Sequence, residues 1–152
     1  IIMSIVSIET AMHHLRADAD DTVDVQHKLD AAQEIAEQFI GRRIYANYPA
    51  VLVAANTALA DMEGLMAEKE AILGSDLDAG LKALKLEQVT SQWHNMLLVA
   101  NGIATNKAIE IAILLILGTL YEHREDVVIG TSIVRLPQAA EHRLQPYRIM
   151  GV

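Results

Sequence analysis

The chain has 152 residues and a net charge of −8, and 52% of its residues are hydrophobic but only 4% are aromatic. This apolar fraction excludes a disordered chain, and the scarcity of aromatic residues requires a core of aliphatic side chains. Because cysteine is absent, disulfides and thiolate metal sites are excluded. The net negative charge argues against a sequence-specific DNA-binding protein, which needs a basic face.

The charge is unevenly distributed along the chain. Residues 1–40 hold eight acids and two bases, whereas residues 128–152 hold three arginines and one glutamate. An acidic N-terminal part and a basic C-terminal part favour head-to-tail contacts between subunits, or binding of a different partner at each end. The start lacks a basic region and reaches Glu9 early, which predicts no secretory signal peptide. The most apolar run, Ile111–Tyr121, falls short of the roughly 20 residues of a membrane span and predicts a buried core helix.

Apolar residues spaced three and four apart predict six helices. Ser7 is the expected N-cap of the first helix, Gly41 ends the second, and Ser75 is the expected N-cap of the fourth. The β-branched stretch 127–135 predicts a short β element near the C-terminus. The predicted helices span residues 8–17, 22–40, 49–73, 76–101, 106–124 and 136–144.

The third and fourth helices are expected to form a long antiparallel hairpin with arms of roughly 37 Å. On the third helix, apolar side chains with heptad-like spacing predict the buried seam: Leu52, Ala55, Leu59, Met62, Met66 and Leu73. On the fourth, the predicted apolar side holds Leu77, Leu81, Leu84, Val89, Trp93, Met96 and Ala100. The fold class is therefore an all-α helical bundle. One domain, 1–152, is expected, with a core of 4–48 and 102–152 and a hairpin arm of 49–101.

No pattern of residues predicts catalysis, a metal or a cofactor. Glu9 and His13 share a helix face, but neither H-E-x-x-H nor a paired E-x-x-H occurs. The acids between Asp18 and Asp24 lack the glycine and the final glutamate of a calcium loop, and they are interpreted as helix-capping residues. The phosphate-binding loop and the nucleophile elbow are also absent, so an enzyme is not expected.

Three separated blocks nevertheless resemble the head–tail connector family of tailed double-stranded DNA phages and prophages. The family's signature helix has an aliphatic run, a glycine, Leu-Tyr and a polar ending on Arg-Glu. Its later segments are Leu-Pro, a short helix and Leu-x-Pro-Tyr-Arg. Its N-terminal part reads His-Leu-Arg, an acidic turn and an alanine-rich helix ending in Gly-Arg. The matching residues here are His14-Leu15-Arg16, Asp18–Asp21, Gly41-Arg42, Gly118, Leu120-Tyr121, Arg124-Glu125, Leu136-Pro137 and Leu144-Gln145-Pro146-Tyr147-Arg148.

The resemblance covers about 90 residues and does not include the hairpin, where the family varies. One departure is Gln138-Ala139 after Leu-Pro, where the family often has Met-Gly. The resemblance implies a structural neck protein of the virion, present in the host cytoplasm during assembly. It implies a homo-oligomeric ring, typically of twelve copies, beneath the portal protein. It further implies a partner on the tail side, and genomic DNA passing through the channel as cargo.

The residues expected to contact a neighbouring subunit or the portal come from the signature helix and the C-terminal segment. The segment after Pro146 lies beyond the last predicted helix and is not expected to contribute to the core. The alternative interpretation is a cytoplasmic helical interaction module, such as a dimeric adaptor or an antitoxin-like dimer. The candidate interface residues are Tyr121, Arg124, Glu125, Leu136, Pro137, Leu144, Pro146, Tyr147 and Arg148.

Overall fold

A computed structural model of the chain describes residues 4–123 and 136–150. The described residues form six α-helices and one two-stranded parallel sheet, which confirms the all-α class predicted from the sequence. The elements in chain order are α1 (Ile8–Leu15), α2 (Thr22–Ile40), β1 (Ile44–Tyr45), α3 (Tyr48–Leu73), α4 (Ala79–Ala100), β2 (Ile103–Ala104), α5 (Lys107–Glu122) and α6 (Gln138–Leu144), with 3₁₀ turns at Ala19–Asp21 and Gln145–Tyr147.

Side-chain caps explain where several helices begin. The Ser7 hydroxyl accepts a hydrogen bond from the Thr10 amide, and Gly41 adopts the left-handed conformation (φ 69°) at the end of α2, both as predicted. The predicted cap at Ser75 is wrong. Asp78 caps α4 instead, because its carboxylate accepts from the Gly80 amide while the Ser75 hydroxyl donates to the Ile72 carbonyl. The helix therefore begins three residues later than expected.

The small sheet lies in the two connections that flank the predicted hairpin, between the second and third helices and between the fourth and fifth. Ile44 pairs with Ile103 and Tyr45 with Ala104. Gly102 precedes this pairing and lies against the Tyr45 ring, where a Cβ would stand 2.7 Å from Cε2. Two-residue strands are too short to show an alternating pattern. The predicted β element at 127–135 lies outside the described residues.

The chain divides into two compact units. The first comprises Ile1–Gly41 and Thr105–Val152, and the second comprises Arg42–Ala104. The second unit includes the sheet, whose segments were predicted from the sequence to belong to the core.

In the first unit, α2 packs against α1 and α5, and α5 packs against α6. Its core is aliphatic, as the composition requires, and α5 buries one side while Ile111 on the other side remains exposed. The largest fully buried side chains are Val25, Leu29, Ile40, Ile109, Ile113, Ile116, Leu117 and Leu144.

In the second unit, α3 and α4 form the predicted hairpin, but α3 buries a different row of side chains. Of the predicted seam, Met62 is buried, whereas four members are exposed: Leu52, Leu59, Met66 and Leu73. The buried residues are Val51, Ala58, Met62, Leu65 and Ile72. Both rows repeat every seven residues and both are apolar, so periodicity alone does not choose between them.

The buried side of α4 also differs from the prediction. Val89 packs in a cluster with Leu65 and Ile72, and Leu86, Trp93 and Met96 pack against that cluster. Leu81 and Leu84, which the sequence placed on the buried side, are exposed. The first turns of α4 therefore direct these leucines outward.

Candidate interaction surfaces

The C-terminal candidates occupy different environments. Leu136 and Pro137 are partly buried at the start of α6, and Pro146 is exposed. Leu144 is fully buried within its own chain, together with Ala140. Leu144 was predicted as a candidate interface residue, but it belongs to the core of the first unit and is not accessible to a partner.

The tail after α6 is fastened to the end of α2. The Ile149 amide donates a 2.9 Å hydrogen bond to the Ile40 carbonyl, one of the carbonyls that a helix end leaves without a helical partner. The Arg148 guanidinium lies 4.8 Å from the centroid of the Phe39 ring, within the range of a cation–π contact. Tyr147, the residue before Arg148, is half-buried. These contacts bind the tail to the end of α2, and the expectation that the core folds without residues 146–152 stays a prediction.

Tyr121 has a specific partner in its own chain. Its hydroxyl donates a 2.7 Å hydrogen bond to Asp21 Oδ2, and its ring is half-buried. Asp21 belongs to the acidic turn before α2, so the bond joins the end of α5 to the start of α2. The remaining candidates, Arg124 and Glu125, lie outside the described residues.

A polar network that the sequence did not predict fastens the N-terminal segment to α2. Ser4 Oγ and Gln26 Nε2 each donate to Asp30 Oδ1, at 2.5 and 2.9 Å. The Ile5 amide donates to Gln33 Oε1 at 2.8 Å. Gln33 and Glu37 are almost completely buried and contact each other at 3.3 Å. Gln33 and Glu37 lie four residues apart on α2, next to its buried apolar residues, and this spacing is the sequence signal for their contact. An analysis of hydrophobic periodicity misses it because it considers apolar residues only.

The acidic and histidine residues singled out in the sequence do not converge. Within residues 4–123 and 136–150, no three His, Asp or Glu side chains lie close enough together to hold a metal ion. Asp18, Asp20 and Asp21 form the 3₁₀ turn and the start of α2. Asp18 and Asp21 occupy the N-cap positions, but neither makes a side-chain cap hydrogen bond, so that part of the capping interpretation is wrong. Their carboxylates lie near the positive end of the helix dipole.

The hairpin carries the most apolar exposed surface. Beside the exposed row on α3, a groove of about 480 Å³ opens between the two helices. It is lined by Leu65, Met66, Lys69, Glu70 and Leu73 of α3 and by Val89, Thr90 and Trp93 of α4. By length and composition, α3 is also long and apolar enough to cross a membrane, with a mean hydropathy of 1.3 over its most apolar stretch, of which 22% is buried. A single helix with these properties is weak evidence for a membrane span, because the core helix of a soluble protein passes the same test of length and composition.

Comparison of the chain with protein-family models, curated proteins and solved structures finds no match.

Proposed function

We propose that this chain is a structural neck protein of a tailed phage, which forms a ring beneath the portal, extends the DNA channel and joins head to tail. The observation that carries the proposal is that residues from separate matching segments of the sequence contact each other in the structure. Tyr121 of the signature Leu-Tyr binds Asp21 of the acidic turn. Arg148 of the Leu-x-Pro-Tyr-Arg segment stacks on Phe39, two residues before the Gly41-Arg42 block.

These contacts matter because the blocks come from opposite ends of the chain. Tyr121 and Asp21 are separated by 100 residues in sequence. Blocks of one family fold are expected to lie in one compact unit. The first unit contains nearly all of the matching residues, whereas the second contains the hairpin, which the resemblance does not cover.

The charge supports a passive role towards DNA. A channel through which DNA slides benefits from like charge, because strong phosphate contacts would have to be broken during ejection. We expect the free protein to bind duplex DNA no more tightly than the non-specific range of roughly 10⁻⁴–10⁻⁶ M at about 0.15 M salt. Fluorescence anisotropy measures this, and nanomolar binding would favour a DNA-binding regulator.

The decisive experiment is assembly with a portal. The protein is purified alone and after co-expression with the portal protein encoded in the same genome, and both samples are imaged by negative-stain electron microscopy. The proposal expects rings with a central channel, either free or attached to the portal. Light scattering after size exclusion gives the mass of the free assembly.

The exposed apolar face of the hairpin favours a second candidate, a dimeric helical interaction module. Two hairpins that pair through this face would make a four-helix bundle of the kind found in many small adaptors. A discrete dimer that neither enlarges nor binds the portal would support this candidate and refute the neck protein.

A further inference from the structure

One side of the hairpin carries two rows of side chains, one on each helix, and both rows repeat every seven residues. The row on α3 is large and apolar, and each of its members is between 45% and 54% exposed: Leu52, Leu59, Met66 and Leu73. Met66 and Leu73 also form one wall of the groove between the helices.

The row on α4 is smaller. Thr90 lies on the other wall of the groove. Ala83 and Leu97 lie seven residues before and after Thr90, about two helical turns, so they share its side of α4. Ala83 is exposed and Leu97 is half-buried. We call the two rows and the groove between them the stripe face.

The opposite side of the hairpin is polar. Asp61 and Glu68 are exposed, and each follows a member of the α3 row by two residues, a rotation of about 200°. Gln88 and Gln92 are also exposed and lie two residues before and after Thr90 on α4. A single apolar face suits an isologous contact, in which both copies use the same surface, because head-to-tail stacking needs two different faces.

The exposed apolar side chains away from the stripe face form no second surface. Leu81 and Leu84 lie close to the turn of the hairpin, whereas Val53 lies near the start of α3. They are therefore separated by most of the length of the hairpin.

The size of the stripe face suits a stable dimer. Two helices that lie side by side over about 35 Å, each about 10 Å wide, present roughly 700 Å². A stable complex buries about 800 Å² on each partner. Contact over the whole stripe face therefore comes close to the area that a stable dimer needs.

The two rows stand level with each other along the hairpin. Near the turn, Lys82 Nζ donates a 3.3 Å hydrogen bond to the Leu73 carbonyl, and further along Leu65 and Val89 share one core cluster. The same antiparallel offset relates the rows, because each of their members follows one of these positions by one residue or by a whole heptad. The members that stand level are Leu59 with Leu97, Met66 with Thr90, and Leu73 with Ala83.

We propose that the stripe faces of two copies pack against each other about a two-fold axis parallel to the hairpins. Such an axis keeps every level and lays α3 of each copy over α4 of the other, so the large α3 row fits over the small α4 row. The reversed orientation would lay α3 over α3, with large side chains against large ones. The result is a four-helix bundle in which each helix is antiparallel to its two neighbours.

The inference goes beyond the proposed function and does not rest on it. A ring built from pairs of subunits and a free dimer would both contain this contact, and a ring would need a second contact to close. The inference therefore assigns one contact between subunits to the hairpin and leaves the C-terminal segment free for another.

Charge argues against a lipid surface as the occupant. Helices that lie on membranes carry lysine and arginine along their polar flanks, which attract anionic headgroups. The stripe face is flanked by the exposed Glu63 and Glu70 on α3 and by the exposed Glu87 on α4, with Lys69 in its groove. An excess of carboxylates at these edges would repel an anionic membrane.

The lack of cysteine in the chain allows the orientation of the pair to be tested by disulfide formation between two single-cysteine proteins. Met66→Cys is mixed with Thr90→Cys, and Leu73→Cys with Ala83→Cys, and each mixture is oxidised. Each mixture is expected to give cross-linked dimers on a non-reducing gel, and far fewer are expected from any variant alone. The matched control mixes Met66→Cys with Leu84→Cys, which lies away from the stripe face, and is expected to give no cross-link.

The other outcomes overturn the inference in distinguishable ways. Cross-linking of Met66→Cys with itself shows the reversed orientation. Rings in which neither mixture cross-links refute the assigned contact and leave the proposed neck function standing. A chain that stays monomeric in light scattering up to about 1 mM refutes the pair together with self-assembly. Flotation of the wild-type chain with phosphatidylserine vesicles, without cross-links, shows that lipid covers the face instead.

Charge reversal at the edge of the pair gives a second measurement. Glu70 of one copy comes close to level with Glu87 of the other, so the two carboxylates oppose each other twice in each dimer. Glu87→Lys is expected to lower the dimer Kd about threefold to tenfold, because it replaces two like-charge pairs with two exposed ion pairs. Glu68→Lys makes the same change of net charge on the polar side and is expected to leave Kd within about twofold. Sedimentation equilibrium measures both, and equal effects, or a weaker dimer with Glu87→Lys, would contradict the arrangement.

Discussion

The two units use the same aliphatic composition in opposite ways. All of the largest fully buried side chains lie in the first unit, whereas most of the exposed large hydrophobic side chains lie in the hairpin. Four helices of the first unit surround one interior, but a pair of helices has only one seam to bury. Apolar residues beyond that seam remain on the surface. The comparison shows that hydrophobic content predicts how much apolar surface a chain has. It does not predict whether that surface is buried within the same chain.

The largest expected difference between the units is the response to a buried charge. Leu117→Asp in α5 replaces a fully buried side chain, and an uncompensated charge there costs several kcal/mol, comparable to the total stability of a small domain. Leu59→Asp makes the same change at a half-exposed site in the hairpin and is expected to alter stability by about 0.5 kcal/mol or less. Urea unfolding followed by circular dichroism at low protein concentration compares them. Equal losses would contradict the division into a filled core and an open hairpin.

Removal of the tail tests whether the first unit extends to the C-terminus. Deletion of 146–152 removes the hydrogen bond from Ile149 to Ile40 and the stacking of Arg148 on Phe39. We expect a loss of about 2 kcal/mol in the free energy of unfolding. Arg148→Ala serves as the partial control, with an expected loss of about 0.5–1 kcal/mol. A truncated protein of unchanged stability would show that the tail contacts do not stabilise the first unit.

Paired tyrosine variants compare a bonded hydroxyl in the first unit with an exposed one in the hairpin. Tyr121→Phe removes the bond to Asp21, for an expected loss of about 1 kcal/mol. Tyr48 is 64% exposed, and Tyr48→Phe is expected to leave the melting temperature unchanged. Differential scanning calorimetry resolves the two. No effect at Tyr121 would remove the contact on which the proposed function depends.

The smallest expected effects come from two glycine-to-alanine substitutions that change the free energy of unfolding in opposite directions. Gly64 lies inside α3, and a Cβ added there would meet no heavy atom within 4 Å, so Gly64→Ala is expected to stabilise the free hairpin by about 0.5–1 kcal/mol. Gly41 has φ +69°, and Gly41→Ala is expected to destabilise the first unit by about 1 kcal/mol. Thermal unfolding at low concentration measures both changes. Destabilisation by Gly64→Ala would mean that α3 is covered at that point.

Sequence patterns predicted the helix bounds best where a start or stop residue is present. The bounds of α2 were predicted at 22–40, where Gly41 ends the helix, and the start of α3 was predicted at residue 49, one residue after its observed start. Packing partners were predicted less well. The seam of α3 was assigned to the row of Leu52 and Leu59, because two adjacent rows are equally apolar and only tertiary contact distinguishes them.

The candidate interface illustrates a second limit of sequence. Tyr121 and Arg148 are residue types enriched at protein interfaces, yet each has a partner within its own chain. Leu144 is wholly internal. Residue type predicts that a side chain makes an important contact, but not whether the contact is within the chain or between chains. The short parallel sheet was missed for a different reason, since two residues carry no periodic pattern.

The pairing of Ile44 with Ile103 and of Tyr45 with Ala104 places the entry and the exit of the hairpin on adjacent strands, about 5 Å apart. An excursion of nearly sixty residues therefore leaves and rejoins the chain at almost one point. A segment joined in this way behaves as a cassette. Its helices can lengthen, shorten or be exchanged in evolution without moving the chain ends that flank them, so the reach of the hairpin can change independently of the unit that bears it.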